Sequence, residues 1–145
     1  MKKNKMKNNF KPNEDFLSGA FMFIDKNKFI EIGLFDEKIF MYNEESDICK
    51  RFIDKNYTIE FDATHSYLHL ITERPFNVEA FKSEIISLDY YLVKNEIDRN
   101  RIYIKTLKEL KGKKIIAMLI GKHNDVERFK KMITIVNDIS TNKFK

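Results

Sequence analysis

From residue 78 onward, apolar side chains recur at alternating three- and four-residue steps, and this spacing restricts the fold of the chain more than any other feature. Val78, Phe81, Ile85, Leu88 and Leu92 fall on one side of a helix of about five turns, since 3.6 residues complete a turn. Val126, Phe129, Ile133, Val136 and Ile139 make a second such stripe, beginning near Asn124 or Asp125. Between the two, residues from about 100 to 110 read as another helix, followed by the punctuation Lys111, Gly112, Lys113, Lys114 and a short apolar run over residues 115–120. Residues 75–145 are therefore expected to form a C-terminal helical region. The stripe over residues 78–92 is too short to specify a coiled coil, and no internal repeat is visible.

The first half reads differently. Residues 1–15 are rich in Lys and Asn with hardly any apolar periodicity, and are expected to be a basic, disordered leader. Residues 16–24, FLSGAFMFI, form a nearly continuous apolar run, as expected of a strand buried on both faces. Asp25 can cap a short helix over residues 26–32, with Phe29 and Ile32 on one face, which Gly33 ends in a left-handed conformation. Asn43 is a good N-cap for a helix from Glu44 to about Lys55, its inward face made by Ile48, Cys49, Phe52 and Ile53 and its polar face by Asp47, Lys50, Arg51 and Asp54. Residues 58–63 have a strand pattern, and residues 66–71, carrying His69, read as a second short strand. The expected class is α/β (α+β): a small mixed sheet with short helices over residues 16–74, then the helical region.

Composition limits what such a chain can be. In 145 residues, 43% are hydrophobic, including 13 Phe and 6 Tyr, enough for a real core. Only 4 Gly and 2 Pro argue against a loop-rich protein. One cysteine, Cys49, excludes an intramolecular disulfide and a cysteine-based metal site, and its place on the apolar side of a helix suits a small core residue. No apolar run reaches the length of a signal-peptide core or a membrane span. The net charge of +5 comes largely from the leader and from Lys105, Lys108, Lys111, Lys113 and Lys114. Attraction to anionic lipid or to nucleic acid is consistent with it, but lysine surfaces are common and a merely solvated face is the better default; no recognition motif accompanies the charge for nucleic acid.

Glu44, Glu45 and Asp47 open the helix that follows Tyr42 and Asn43. The free amides and macrodipole of a helix N-terminus favour ionised carboxylates, which suits a base that accepts a proton. The same physics has a purely structural use, because acids in a first turn stabilise a helix by about 0.3–1 kcal/mol each. From the residues alone the structural role comes first.

A wider pattern surrounds the cluster. Ser18, Gly19 and Ala20 stand in the first apolar run, followed by Gly33, by Phe35, Asp36 and Glu37, by Tyr42, Glu44, Glu45, Asp47, Ile48 and Cys49, by Asn56 and Tyr57, and by Tyr67, Leu68, His69 and Leu70. This succession resembles the acceptor-side, C-terminal half of the catalytic domain of family 2 glycosyltransferases, in particular the rhamnosyltransferase-like branch that acts on bacterial surface glycans. The resemblance implies a partial GT-A-like fold and an inverting transferase, truncated or split. Glu45, where the family usually has Asp, would be the catalytic base, flanked by Glu44 and Asp47. Ser18, Gly19, Ala20 and Tyr42 would contact substrate, and His69 would contact a divalent metal, Mg or Mn, or the donor diphosphate. The implied partners are a nucleotide-sugar donor and a glycan or lipid-linked acceptor in polysaccharide biosynthesis at the cell envelope. The chain has no Asp-x-Asp motif and no Gly-rich phosphate loop, so a partner chain carrying the donor-binding half is implied as well. The implied location is the cytoplasm, peripheral at the inner face of the membrane.

A reading from another class stands beside this one: a noncatalytic helical interaction or scaffold module whose basic helices hold a protein partner or a membrane surface.

Overall fold

The computed structural model describes residues 21–40, 42–62, 64–65 and 75–141. They form five α-helices: α1 Lys26–Glu31, α2 Glu44–Asp54, α3 Val78–Lys94, α4 Arg99–Leu119 and α5 His123–Thr141. The chain divides into two compact units, one comprising residues 1–37 and 44–72, the other residues 38–43 and 73–145.

No strand occurs among the described residues, and this corrects the expected mixed sheet and the GT-A-like class. Residues 58–62 take no regular secondary structure, and no backbone-to-backbone hydrogen bond joins them to another described residue; alternation makes a strand only where a ladder can form. At the end of the first apolar run Phe23 is 91% exposed, which does not fit a strand buried on both faces. The rest of that run, residues 16–20, and the second expected strand, residues 66–71, lie outside the described residues.

In the first unit the helices begin and end on local chemistry. Asp25 caps α1, its Oδ1 accepting from the amides of Asn27 at 2.9 Å and Lys28 at 3.1 Å. Gly33, at φ +92°, closes the helix with paired amide bonds, Gly33 N to Ile30 O and Leu34 N to Phe29 O, both 3.0 Å. Asn56 plays the same part after α2 at φ +59°, with Tyr57 N donating to Phe52 O at 2.9 Å. Ile48 and Cys49 are buried on α2 as the apolar pattern requires. Two details differ from the sequence pattern. Asn43 has φ +68° rather than the extended backbone of an N-cap, and Asp47 is buried instead of facing water.

The second unit is built from α3, α4 and α5, with α5 packed against both of the others. Its core comprises Ile85, Tyr103, Leu110, Ala117, Val126, Phe129, Val136 and Ile139, with Phe81, Leu88, Leu107, Met132, Ile133 and Ile135 packed around it. Tyr103, Leu110 and Ala117 stand seven residues apart on α4, a narrow inward seam of the kind two turns of helix produce. Helix α4 runs unbroken through Gly112, where the sequence suggested a break. One interior Gly costs about 1 kcal/mol relative to Ala, less than Leu110 and Ala117 gain by entering the core on either side of it. Asn77 and Asp98 cap α3 and α4 through their side chains. Both helices end in left-handed residues, Glu96 at φ +54° and Gly121 at φ +69°, with the amides of Ile97 and Lys122 returning to Leu92 O and Ala117 O, each at 2.9 Å.

Candidate functional site

The acidic start of α2 is the natural place to look for chemistry. Glu44, Glu45 and Asp47 share its first turn, and the first two are half-buried. Asp47 is only 1% exposed, and its charge is met within the same helix. Its Oδ2 accepts from Arg51 Nε at 2.9 Å and lies 2.8 Å from the second guanidinium nitrogen, Nη2. The remaining nitrogen, Nη1, donates to the backbone carbonyl of Ile32 at 2.6 Å. That carbonyl ends α1, so Asp47 orients Arg51 and Arg51 ties α2 to the last turn of α1. A carboxylate held this way is committed to the fold, because removing it would strand a cation with little access to water.

Around this tie the unit is stitched by further polar contacts. Tyr57 donates its hydroxyl to Glu31, Lys55 lies 3.9 Å from the same carboxylate, and Lys28 sits over the Tyr57 ring. The Glu31 hydrogen bond raises the Tyr57 pKa above the ordinary phenol value. Further along, Asp62 accepts from the amide and hydroxyl of Thr64 and pairs with His65. Those partners, the Thr64 hydroxyl first, hold its carboxyl well below the usual range. All of this closes a turn at the surface.

Among the described residues no group of three or more His, Cys, Asp or Glu could hold a metal ion. The donor set at α2 does not fit one either, with Asp47 already on Arg51. Ser18, Gly19, Ala20 and His69, expected as substrate and metal contacts, lie outside the described residues. Tyr42 is exposed, at φ +66°, and belongs to the segment grouped with the second unit. A depression of about 560 Å³ is lined by Asp98, Asn100, Arg101, Ile104, Lys105, Lys108 and Glu109. All seven come from α4 and its cap, and the side of a single helix cannot enclose a small ligand.

Two features of the second unit were not anticipated. The first is a buried polar clamp between α3 and α4. Asp89 Oδ1 accepts from Tyr103 Oη at 2.8 Å and Arg99 Nε at 2.8 Å, with a second guanidinium nitrogen at 2.6 Å. Burial first, and then the Asp89 hydrogen bond and charge, push the Tyr103 hydroxyl pKa far above its ordinary value. Glu84, on the same helix as Asp89, is raised by burial alone. The second feature is the end of α4, where Ile115, Ile116, Met118, Leu119 and Ile120 are all exposed and only Ala117 turns inward. The apolar run was visible in the sequence; its exposure was not, because periodicity cannot say which side of a short all-apolar segment meets water.

Comparison with known proteins gives one partial likeness. Over 91 residues the chain is 32% identical to "Rhamnosyltransferase WbbL" of Escherichia coli (strain K12), a match covering 60% of this chain and 34% of that protein. The chain thus spans about a third of the length of the curated relative it matches. No family model matches, and no solved structure does.

These findings correct the enzymatic expectations. Assignment to the acceptor-side half of a family 2 glycosyltransferase, the inverting transferase function, and the nucleotide-sugar and glycan partners all presupposed a GT-A-like sheet. The described residues build five helices and no strand, Asp47 is neutralised by Arg51, and no metal cluster is found among the described residues. The likeness to the rhamnosyltransferase covers too little of that protein to carry its activity across. A helical, noncatalytic reading fits the geometry better.

Proposed function

We propose that this chain is a noncatalytic helical interaction module: α3, α4 and α5 form a scaffold, and the end of α4 makes the contact. The observation that carries this reading is the run of exposed apolar side chains at residues 115–120, interrupted only by Ala117. Single exposed apolar residues are ordinary, whereas a contiguous exposed cluster marks a contact surface. The scaffold beneath it is suited to present it, since Ala117 in the middle of the run is itself part of the core. The acidic turn of α2 has a structural part in this reading and needs no divalent ion.

The test is association in the cell. The full chain, expressed with an affinity tag in a bacterial host, should cofractionate with a larger assembly, either a membrane or a protein complex. Leu119→Asp should release it, and Glu45→Gln should leave it in place. A chain that runs as a free monomer at every step, or an assembly indifferent to Leu119→Asp, would refute the proposal.

A further inference from the structure

The chemistry surrounding the exposed end of α4 narrows the kind of partner. Residues 110–124 read LKGKKIIAMLIGKHN, with Lys111, Lys113, Lys114 and Lys122 and no acidic residue. The next acid, Asp125, lies 3.5 Å from Arg128. At about 100° per residue, Ile115, Ile116, Met118, Leu119 and Ile120 occupy an arc of roughly 200° around the helix, leaving only the Ala117 direction for the core. Leu119, at the tip, is 81% exposed. There α4 ends and Gly121 turns the chain into α5, so the apolar arc caps the turn between two packed helices.

We infer that this tip inserts into the surface of an anionic lipid bilayer, the lysines remaining at headgroup level. The inference deepens the proposed interaction role and rests on it. A protein groove reads a helix along one stripe of spaced anchors and would have to wrap more than half of this one; an interface of mobile acyl chains surrounds such a tip without special shape. The axial distance from Lys114 to Ile120 is about 9 Å, comparable with the roughly 5–10 Å to which interfacial helices bury their apolar face. Lysine stems can lie along that boundary with their ammonium groups among the phosphates. A second copy of the chain fits poorly, because pairing tip to tip would set lysines against lysines. No helix among the described residues is long and apolar enough to cross a membrane, so the contact is one of shallow insertion.

The experiment is cosedimentation of the full chain with vesicles of phosphatidylcholine alone and of phosphatidylcholine mixed with phosphatidylglycerol, at low and at raised salt. Binding is expected to the anionic vesicles and to weaken with salt. Leu119→Asp should reduce the partition coefficient about tenfold or more through loss of apolar burial. Lys113→Gln combined with Lys122→Gln should reduce it by a similar factor on anionic vesicles. Both changes lie at the surface, and an unchanged far-ultraviolet circular dichroism spectrum would show that the helices persist. No binding, equal binding to neutral vesicles, or binding indifferent to Leu119→Asp would overturn the inference. If vesicles fail while a Leu119→Asp-sensitive assembly survives removal of membranes from the cell extract, the occupant is a protein and only the lipid inference falls. If neither association is seen, the interaction reading falls with it.

Discussion

Replacing Tyr103 by Phe probes the buried clamp of the second unit with the least disturbance of shape. The ring stays in the core and only the hydroxyl leaves, removing the 2.8 Å bond to Asp89. Hydrogen bonds to charged groups contribute about 1.5–3 kcal/mol. Asp89 keeps the Arg99 guanidinium, at 2.6 and 2.8 Å, so no buried charge is orphaned and the loss should lie near the lower end, about 1.5–2 kcal/mol. The native-state exchange rates of the Ile85 and Leu110 amides, read by NMR, report opening of this unit without assuming that the chain unfolds in one step. A loss of this size should speed exchange roughly tenfold to thirtyfold where opening is at equilibrium.

The same substitution predicts a pH signature. The Tyr103 pKa is raised in the folded protein from about 10 in an unfolded chain. The stabilisation associated with the neutral phenol is therefore complete below about pH 10 and declines as pH rises above it, because the unfolded state then releases the proton first. Wild type should lose more stability than Tyr103→Phe on passing to higher pH, with lysine titration common to both. Exchange rates unchanged by Tyr103→Phe, or parallel losses above pH 10, would refute a clamp worth this much.

Gly112 within α4 and Gly121 just beyond it should respond in opposite directions. A Cβ at Gly112 meets nothing within 4 Å in an ordinary helical position, so Gly112→Ala should stabilise the unit by about 0.5–1 kcal/mol; a Cβ at Gly121 also meets nothing, but φ is +69°, and Gly121→Ala should cost about 1 kcal/mol. Thermal melts of the two variants, compared with wild type, check both signs. In the first unit, Asp47→Asn should destabilise α2 by about 3 kcal/mol, the low end for breaking a buried pair, since Arg51 retains 18% of its side-chain exposure; exchange of the Ile48 amide is the readout.

Much of the helical architecture is legible from residue patterns. The Val78 to Leu92 and Val126 to Ile139 stripes run along α3 and α5, and Ile85, Leu92, Val126, Val136 and Ile139 are buried, because over four or five turns a 3.6-residue period has no strand alternative. Asp25 and Gly33 mark the ends of α1 because each satisfies groups that a helix terminus leaves unpaired. The short segments misled. Six apolar or alternating residues at 58–63 suit a strand, an extended connection or a buried turn equally well, and only a pairing partner decides among them. Gly112 looked like a break because local propensity ignores the core contacts of Leu110 and Ala117. The family likeness drew attention to the acidic turn, whereas the structural role of Asp47 depends on Arg51 one turn away and, through Arg51, on Ile32 nineteen residues before that arginine, a contact no local window contains. Asp89, Arg99 and Tyr103 were missed for the same reason: their meeting depends on how α3 packs beside α4.

The proposed noncatalytic role is open to a direct check: titration of the full chain with uridine and deoxythymidine diphosphates in the presence of Mg²⁺, followed at the backbone amides by NMR. No saturable shift is expected at Glu44, Glu45 or Asp47. Saturable, Mg²⁺-dependent shifts centred on those residues, lost in Glu45→Gln, would contradict it.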